Sequence, residues 1–148
     1  MDIAVVDDEK VIRGHICSLI EEQKPGSSIE AYATGEELLA VGKRFDIVFL
    51  DIQMDGIEVA RKLRKWQEDT VLIFITGIKE YVFDALDLYA FHYLLKPLDE
   101  KKFAEVLEKA TYEVKKRTEK KCLFIKTRNL TLDQSDILYI VRRFLLCV

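Results

Sequence analysis

The sequence predicts an α/β protein built on a parallel sheet with helices covering both faces. Three observations point there. Short β-rich apolar runs alternate with helix-patterned stretches through the first hundred residues. The central runs are continuously apolar, as strands buried on both sides require. The stretches between them carry apolar residues at helical spacing, which suits right-handed crossovers between parallel strands. The 148 residues are enough for one domain with a good core and a fragment of another.

The runs are "IAVV" (3–6), "SIEAYA" (28–33), "DIVFL" (46–50), "VLIFI" (71–75) and "HYLL" (92–95). Helices are predicted over about 10–23, 35–43, 56–67 and 80–89. In the third, Ile57, Ala60, Leu63 and Trp66 fall on one stripe. A fifth helix over 99–118 sets Phe103, Val106, Leu107, Ala110 and Val114 at helical spacing, with Asp99 as its N-cap. Pro25-Gly26 is a turn. "KKRTEKK" (115–121) reads as a charged hinge, followed by two strand-like runs, "CLFIKT" (122–127) and "DILYI" (136–140).

Composition narrows the class. Apolar residues make up 49% and charged residues 33%, an ordinary soluble globular balance. No stretch approaches the roughly 18 to 20 apolar residues of a membrane span. The opening "MDIAVVDDEK" lacks the basic start of a signal peptide, so no membrane partner is expected. Cys17, Cys122 and Cys147 have no motif spacing; they argue against a disulfide framework or a zinc site and fit a reducing cytoplasm. Residues 1–98 carry 11 Lys/Arg against 18 Asp/Glu, whereas 99–148 carry 12 against 8. Nucleic acid is therefore conceivable only for the basic tail.

The chemistry lies at the strand ends. "IAVV" ends in Asp7-Asp8, "DIVFL" in Asp51, "VLIFI" in Thr76-Gly77 and "YLL" in Lys96-Pro97. A parallel sheet brings all these ends to one edge, where open α/β sheets place their sites. Converging carboxylates repel and take up protons unless a cation sits among them. One lysine offsets part of that charge; a hard divalent cation with oxygen ligands, Mg²⁺ or Mn²⁺, would supply the rest. A metal, a lysine and a hydroxyl are what a phosphoryl group needs around its equatorial oxygens, with an in-line carboxylate as acceptor. Asp51, on the middle charged strand, is the best-placed nucleophile. Singly, Asp7 or Asp8 would more often be a helix cap, Thr76 turn chemistry and Lys96 a solvated charge. Jointly those readings weaken, because four strands end in the types one reaction requires.

The set "VVDDE", "FLDIQM", "FIT" and "YLLKP" resembles the receiver domain of bacterial two-component response regulators over residues 1 to about 118. That resemblance implies a flavodoxin-like (CheY-like) doubly wound, five-stranded parallel sheet of order 2-1-3-4-5, with a short β-rich C-terminal extension here. It implies a non-enzymatic phosphorelay protein in which Asp51 accepts phosphate from a histidine kinase. Asp8 would bind Mg²⁺ directly, Asp7 through water, and Gln53 through its backbone carbonyl. Thr76 and Lys96 would contact the phosphoryl oxygens, and the Lys96-Pro97 bond is expected to be cis. Tyr93 sits at the family's switch aromatic. Phosphorylation adds about −1.5 to −2 charges, Thr76 moves, and the Tyr93 ring fills the vacated space. That remodels the face of the fourth helix, fifth strand and fifth helix, commonly a homodimer face in this family.

The passage "YAFHYLLKPLDEKKF" followed by "FIKTRNLTLDQSDILYI" is similar to the receiver-to-effector passage of LytTR-type transcription regulators. The expected organisation is a receiver over 1–118, then a linker and an incomplete N-terminal fragment of a LytTR-type DNA-binding domain over 119–148. DNA contact would need a complete effector. One departure concerns the site: "DIQMDG" is about three residues shorter than the family's loop after the phosphoacceptor. Two other readings stand beside the first. One is a receiver-like interaction or dimerisation module that signals without phosphate. The other is a phosphohydrolase of the haloacid dehalogenase type, which needs Asp-x-Asp where this chain has adjacent aspartates.

Overall fold

The computed structural model describes residues 1–53, 55–81 and 86–128. Its elements are β1 (Asp2–Val6), α1 (Lys10–Gln23), β2 (Ser28–Tyr32), α2 (Gly35–Ala40), β3 (Ile47–Asp51), α3 (Gly56–Trp66), β4 (Val71–Thr76), a 3-10 turn (Leu86–Leu88), β5 (His92–Leu95) and a C-terminal helix (Glu100–Arg128). The five strands form one parallel sheet in the order β2-β1-β3-β4-β5. This is the predicted doubly wound, flavodoxin-like sheet.

The continuously apolar runs occupy the centre. Every residue of β3 and β4 is buried, as is β1 after its first residue, while the edge strands β2 and β5 are only partly covered. Alternate residues feed two separate core layers. Ile3, Val5, Ile47, Phe49 and Ile73 face α1 and the C-terminal helix, where Phe49 and Phe103 stack with ring centroids 5.2 Å apart. Ala4, Val6, Val48, Leu50, Leu72 and Phe74 face α2 and α3. Within α3 the buried stripe is Gly56, Val59, Ala60 and Leu63; Trp66, at the helix end, stays 36% exposed.

The helix boundaries follow from local chemistry. Thr34 caps α2 by accepting from the Glu37 N–H at 3.2 Å, and Glu36 and Glu37 meet the positive end of the helix dipole. The helix stops at Ala40, earlier than predicted, and Gly42 then takes a φ of +64°. Gly35 lets α2 close on α3, because a Cβ there would lie 2.1 Å from Val59 Cγ2. Asp99 does cap the last helix, its carboxylate accepting from the Lys102 N–H at 3.0 Å.

Two expectations about the tail need correction. Residues 115–121 are not a hinge and 122–127 are not a strand, since the helix from Glu100 runs unbroken to Arg128. Lys, Arg and Glu are good helix formers, the segment holds no Gly or Pro, and extending a formed helix needs no new nucleus. Glu113 pairs with Arg117 one turn on, at 2.9 Å. Arg117 also donates to the Asp69 carbonyl at 2.9 Å, and Lys121 pairs with the Asp69 carboxylate, tying the helix to the loop before β4. Of the predicted fourth helix over 80–89, residues 82–85 lie outside the described residues and Leu86–Leu88 form a 3-10 turn; the "DILYI" run also lies outside the described residues.

Candidate phosphoacceptor site

The parallel register brings the ends of β1, β3, β4 and β5 to one edge: Val6 pairs with Leu50, Asp51 with Ile75 and Thr76 with Leu95. Three carboxylates meet there. Asp51 closes β3, Asp7 and Asp8 follow β1, and each offers one oxygen within 4.8 Å of the other two. Asp7 and Asp51 are buried, whereas Asp8 faces solvent.

Each group is held from several sides. Asp51 accepts from the Gln53 N–H at 2.9 Å through Oδ1 and from Lys96 Nζ at 2.9 Å through Oδ2. Asp7 donates its N–H to the Tyr32 carbonyl at 3.2 Å and accepts the Glu9 N–H on Oδ1 at 2.9 Å. Its buried Oδ2 lies 3.0 Å from Lys96 Nζ, yet among the described residues it accepts no hydrogen bond. Lys96 follows β5; its N–H bonds to the Thr76 carbonyl at 2.9 Å, and its peptide bond to Pro97 is cis.

The electrostatics follow from crowding and burial. Burial pushes the Asp7 carboxyl above its ordinary range; Lys96 and the Glu9 N–H pull it back and the Asp51 charge adds to the rise. Burial alone would lower the Lys96 ammonium, but its hydrogen bond to Asp51 and its ion pair with Asp7 outweigh that and hold it above the ordinary lysine range. One ammonium thus serves the two buried carboxylates, Asp7 and Asp51, and among the described residues the Asp7 Oδ2 atom has that ion pair but no hydrogen bond. Those are the marks of a site that a divalent cation fits, with Asp7, Asp8 and Asp51 as its oxygen donors.

Thr76 and Tyr93 are near but otherwise engaged. Thr76 is fully buried, and its hydroxyl exchanges hydrogen bonds with the N–H and carbonyl of Ile78, at 3.1 and 3.2 Å. Tyr93 stacks on Phe74 with centroids 5.9 Å apart and joins the core layer on the α2/α3 side; burial raises its hydroxyl pKa. His15 lies 3.8 Å from Glu100, and Glu58 pairs with Lys62 at 3.6 Å, both away from the cluster.

The short loop closes through an unusual backbone. Asp55 adopts left-handed φ of 52°, and Gly56 donates to the Ile52 carbonyl at 3.3 Å as α3 begins. A Cβ on Gly56 would sit 2.2 Å from the Asp51 carbonyl oxygen, so α3 starts against the main chain of Asp51 only because this residue is glycine.

Sequence reasoning missed two residues here. Glu9 Oε1 is 3.2 Å from Lys96 Nζ, a third carboxylate on the same ammonium, and its signal was the acidic triplet in "VVDDE". Arg13 donates to the Asp7 carbonyl at 2.6 Å, and only its place one turn into α1 hinted at that.

A profile described as "Response regulator receiver domain" matches residues 3–108. The chain belongs to the response regulator receiver family. Its relatives include an uncharacterized response regulatory protein of Vibrio cholerae, 37% identical, with 76% of this chain and 45% of that protein covered. The sensory transduction protein LytT of Bacillus cereus is 34% identical, covering 74% of this chain and 46% of LytT. LytR of Staphylococcus haemolyticus is 27% identical and aligns with 92% of this chain and 55% of its own length. The chain thus spans about half the length of these relatives. Among solved structures, the response regulatory domain of mrkE from Klebsiella pneumoniae superposes with a TM-score of 0.71 at 28% identity, covering 78% of this chain and 99% of that one. These relatives place the chain among two-component response regulators of the LytT/LytR type, whose receivers work with histidine kinases. Such receivers bind Mg²⁺ through acidic residues of this kind. Among the described residues no helix is long and apolar enough to cross a membrane.

Proposed function

We propose that this receiver accepts a phosphoryl group from a histidine kinase on Asp51. The observation that carries the reading is the buried Asp51 carboxylate at the end of β3, bonded to Lys96 and sharing a 4.8 Å cluster with Asp7 and Asp8. In the transfer, an Asp51 oxygen attacks phosphorus in line, an O–P bond forms as the donor's N–P bond breaks, and the product is an acyl phosphate. A divalent cation held by Asp7, Asp8, Asp51 and the Gln53 carbonyl would neutralise charge on the phosphoryl oxygens. Lys96, already aimed at Asp51, supplies a fixed positive charge to the same oxygens. Thr76 must exchange its bonds to Ile78 for a phosphoryl oxygen, and that exchange is the start of the switch. Tyr93 then reports it to β5 and the C-terminal helix, which serve as a dimerisation face.

The output we assign is transcriptional. Residues 1–118 form the phosphoacceptor unit, and 119–148 comprise a linker and an N-terminal fragment of a LytTR-type DNA-binding domain, with the C-terminal helix as connector. Support comes from the LytR alignment, which runs over 141 residues, and from an Escherichia coli relative named transcriptional regulatory protein YpdB, 30% identical over 114 residues. DNA is engaged only by a complete effector.

Incubation with a small acyl phosphate and Mg²⁺, read by intact mass, tests the phosphoacceptor reading. The wild type gains one phosphoryl group; Asp51→Asn and the wild type in chelator gain none. A folded wild type of unmodified mass would leave the phosphate-independent interaction module as the better account.

A further inference from the structure

Arg13 sits on the first turn of α1, where a cation is poorly placed. The helix dipole presents positive charge there, and a bound divalent cation would add more. A role has to offset that penalty. The guanidinium turns back to the loop after β1, donating to the Asp7 carbonyl at 2.6 Å and reaching the Asp8 carbonyl at 3.5 Å. The first bond is short and charge-assisted, the second long and weak.

Its effect follows from what else holds the loop. Asp7 is fixed at its N–H by Tyr32 and at Oδ1 by Glu9, so the Arg13 bond pins its remaining main-chain group. The α1 N-cap, Glu9, makes no side-chain capping bond, which leaves the loop without that usual restraint. Asp8 is exposed, and the Arg13 contact bears on the peptide group from which its side chain departs. The guanidinium thus grips the backs of the two aspartates whose fronts face the cluster.

We propose that Arg13 is a positioning residue: by holding the main-chain oxygens of Asp7 and Asp8 it aims both carboxylates and raises the affinity of the site for a divalent cation. The inference rests on the reading of the cluster as a cation-dependent phosphoacceptor site. Groups that orient metal ligands from behind typically change metal affinity by about 10- to 100-fold when removed. Simple electrostatics predicts the opposite sign, because deleting a nearby cation should tighten cation binding.

Mn²⁺ titration of the full, unphosphorylated chain, followed by the loss of the free-ion paramagnetic resonance signal, separates the two. Arg13→Ala should bind Mn²⁺ at least about tenfold more weakly than wild type, with Arg13→Lys recovering much of the loss through its single ammonium donor. Lys10→Ala, which removes an exposed charge from the same helix turn, should bind no more weakly than wild type. Circular dichroism checks the fold, and if the alanine variant unfolds, Arg13→Gln carries the test with weaker binding again expected. Unchanged or tighter Mn²⁺ binding by folded Arg13→Ala, even with a lowered Tm, overturns the inference while the site reading stands. A wild type that binds no Mn²⁺ sinks the site reading and this inference together.

Discussion

At the scale of single residues, Asp7 shows what the site costs the fold. Its carboxyl is raised above 3.8 by burial, so the folded chain holds that proton where the unfolded chain has released it. The ionised group is therefore destabilising at neutral pH, and relief comes as pH falls through the raised pKa. Without divalent cations, Asp7→Asn should be more stable than wild type at pH 7. That advantage should shrink as pH falls through the raised pKa and be gone below the ordinary carboxylate range; thermal denaturation across pH reads both. Added Mg²⁺ should raise the wild-type Tm and so narrow the gap. The aspartates, Thr76 and Lys96 were legible in the sequence because each ends a strand whose apolar run announces it. Arg13 was not, since its chemistry lies in which carbonyl a long side chain bends back to reach.

At the scale of elements, the C-terminal helix departs most from what periodicity foretold. A run of seven residues with five lysines or arginines reads as a solvated break, yet nothing in it ends a helix, and Asp69 gives two of its cations a place to bind. The tether comes from some fifty residues away in sequence, so no local window could have shown it. Backbone amides over 115–122 should therefore be protected in hydrogen exchange, and Asp69→Ala should reduce protection there while leaving β3 and β4 unchanged. Free exchange across 115–121 in the wild type would restore the hinge. The first three helices were placed within a few residues because their apolar spacing marks them, although only α2 carries a side-chain N-cap, Thr34. The short loop after Asp51 was seen as a gap in the sequence, but not the left-handed Asp55 and the bare Gly56 that close it.

At the scale of the whole molecule, one side chain joins parts that the sheet alone does not. Arg64, near the end of α3, donates to the carbonyls of Thr70 at 2.7 Å, Leu88 and Tyr89 at 3.1 Å, and Glu68 at 3.2 Å. It links α3, the entry to β4 and the turn before β5, where Tyr89 holds a φ of 51°. Hydrogen bonds to charged groups contribute roughly 1.5–3 kcal/mol, so Arg64→Ala should lose about 2–3 kcal/mol in denaturant unfolding. Arg64→Lys should recover less than half, because an ammonium lacks the planar fork that serves several carbonyls at once. Strand order needed the family resemblance, whereas the parallel sheet and the shared edge followed from alternation and burial alone. That shared edge is where the central claim is decided. After phosphorylation by a small acyl phosphate with Mg²⁺, borohydride reduction converts an aspartyl phosphate to homoserine, which peptide mass mapping can locate. The account predicts homoserine at position 51 and nowhere else. Homoserine at position 7 or 8, with position 51 unchanged, would contradict it.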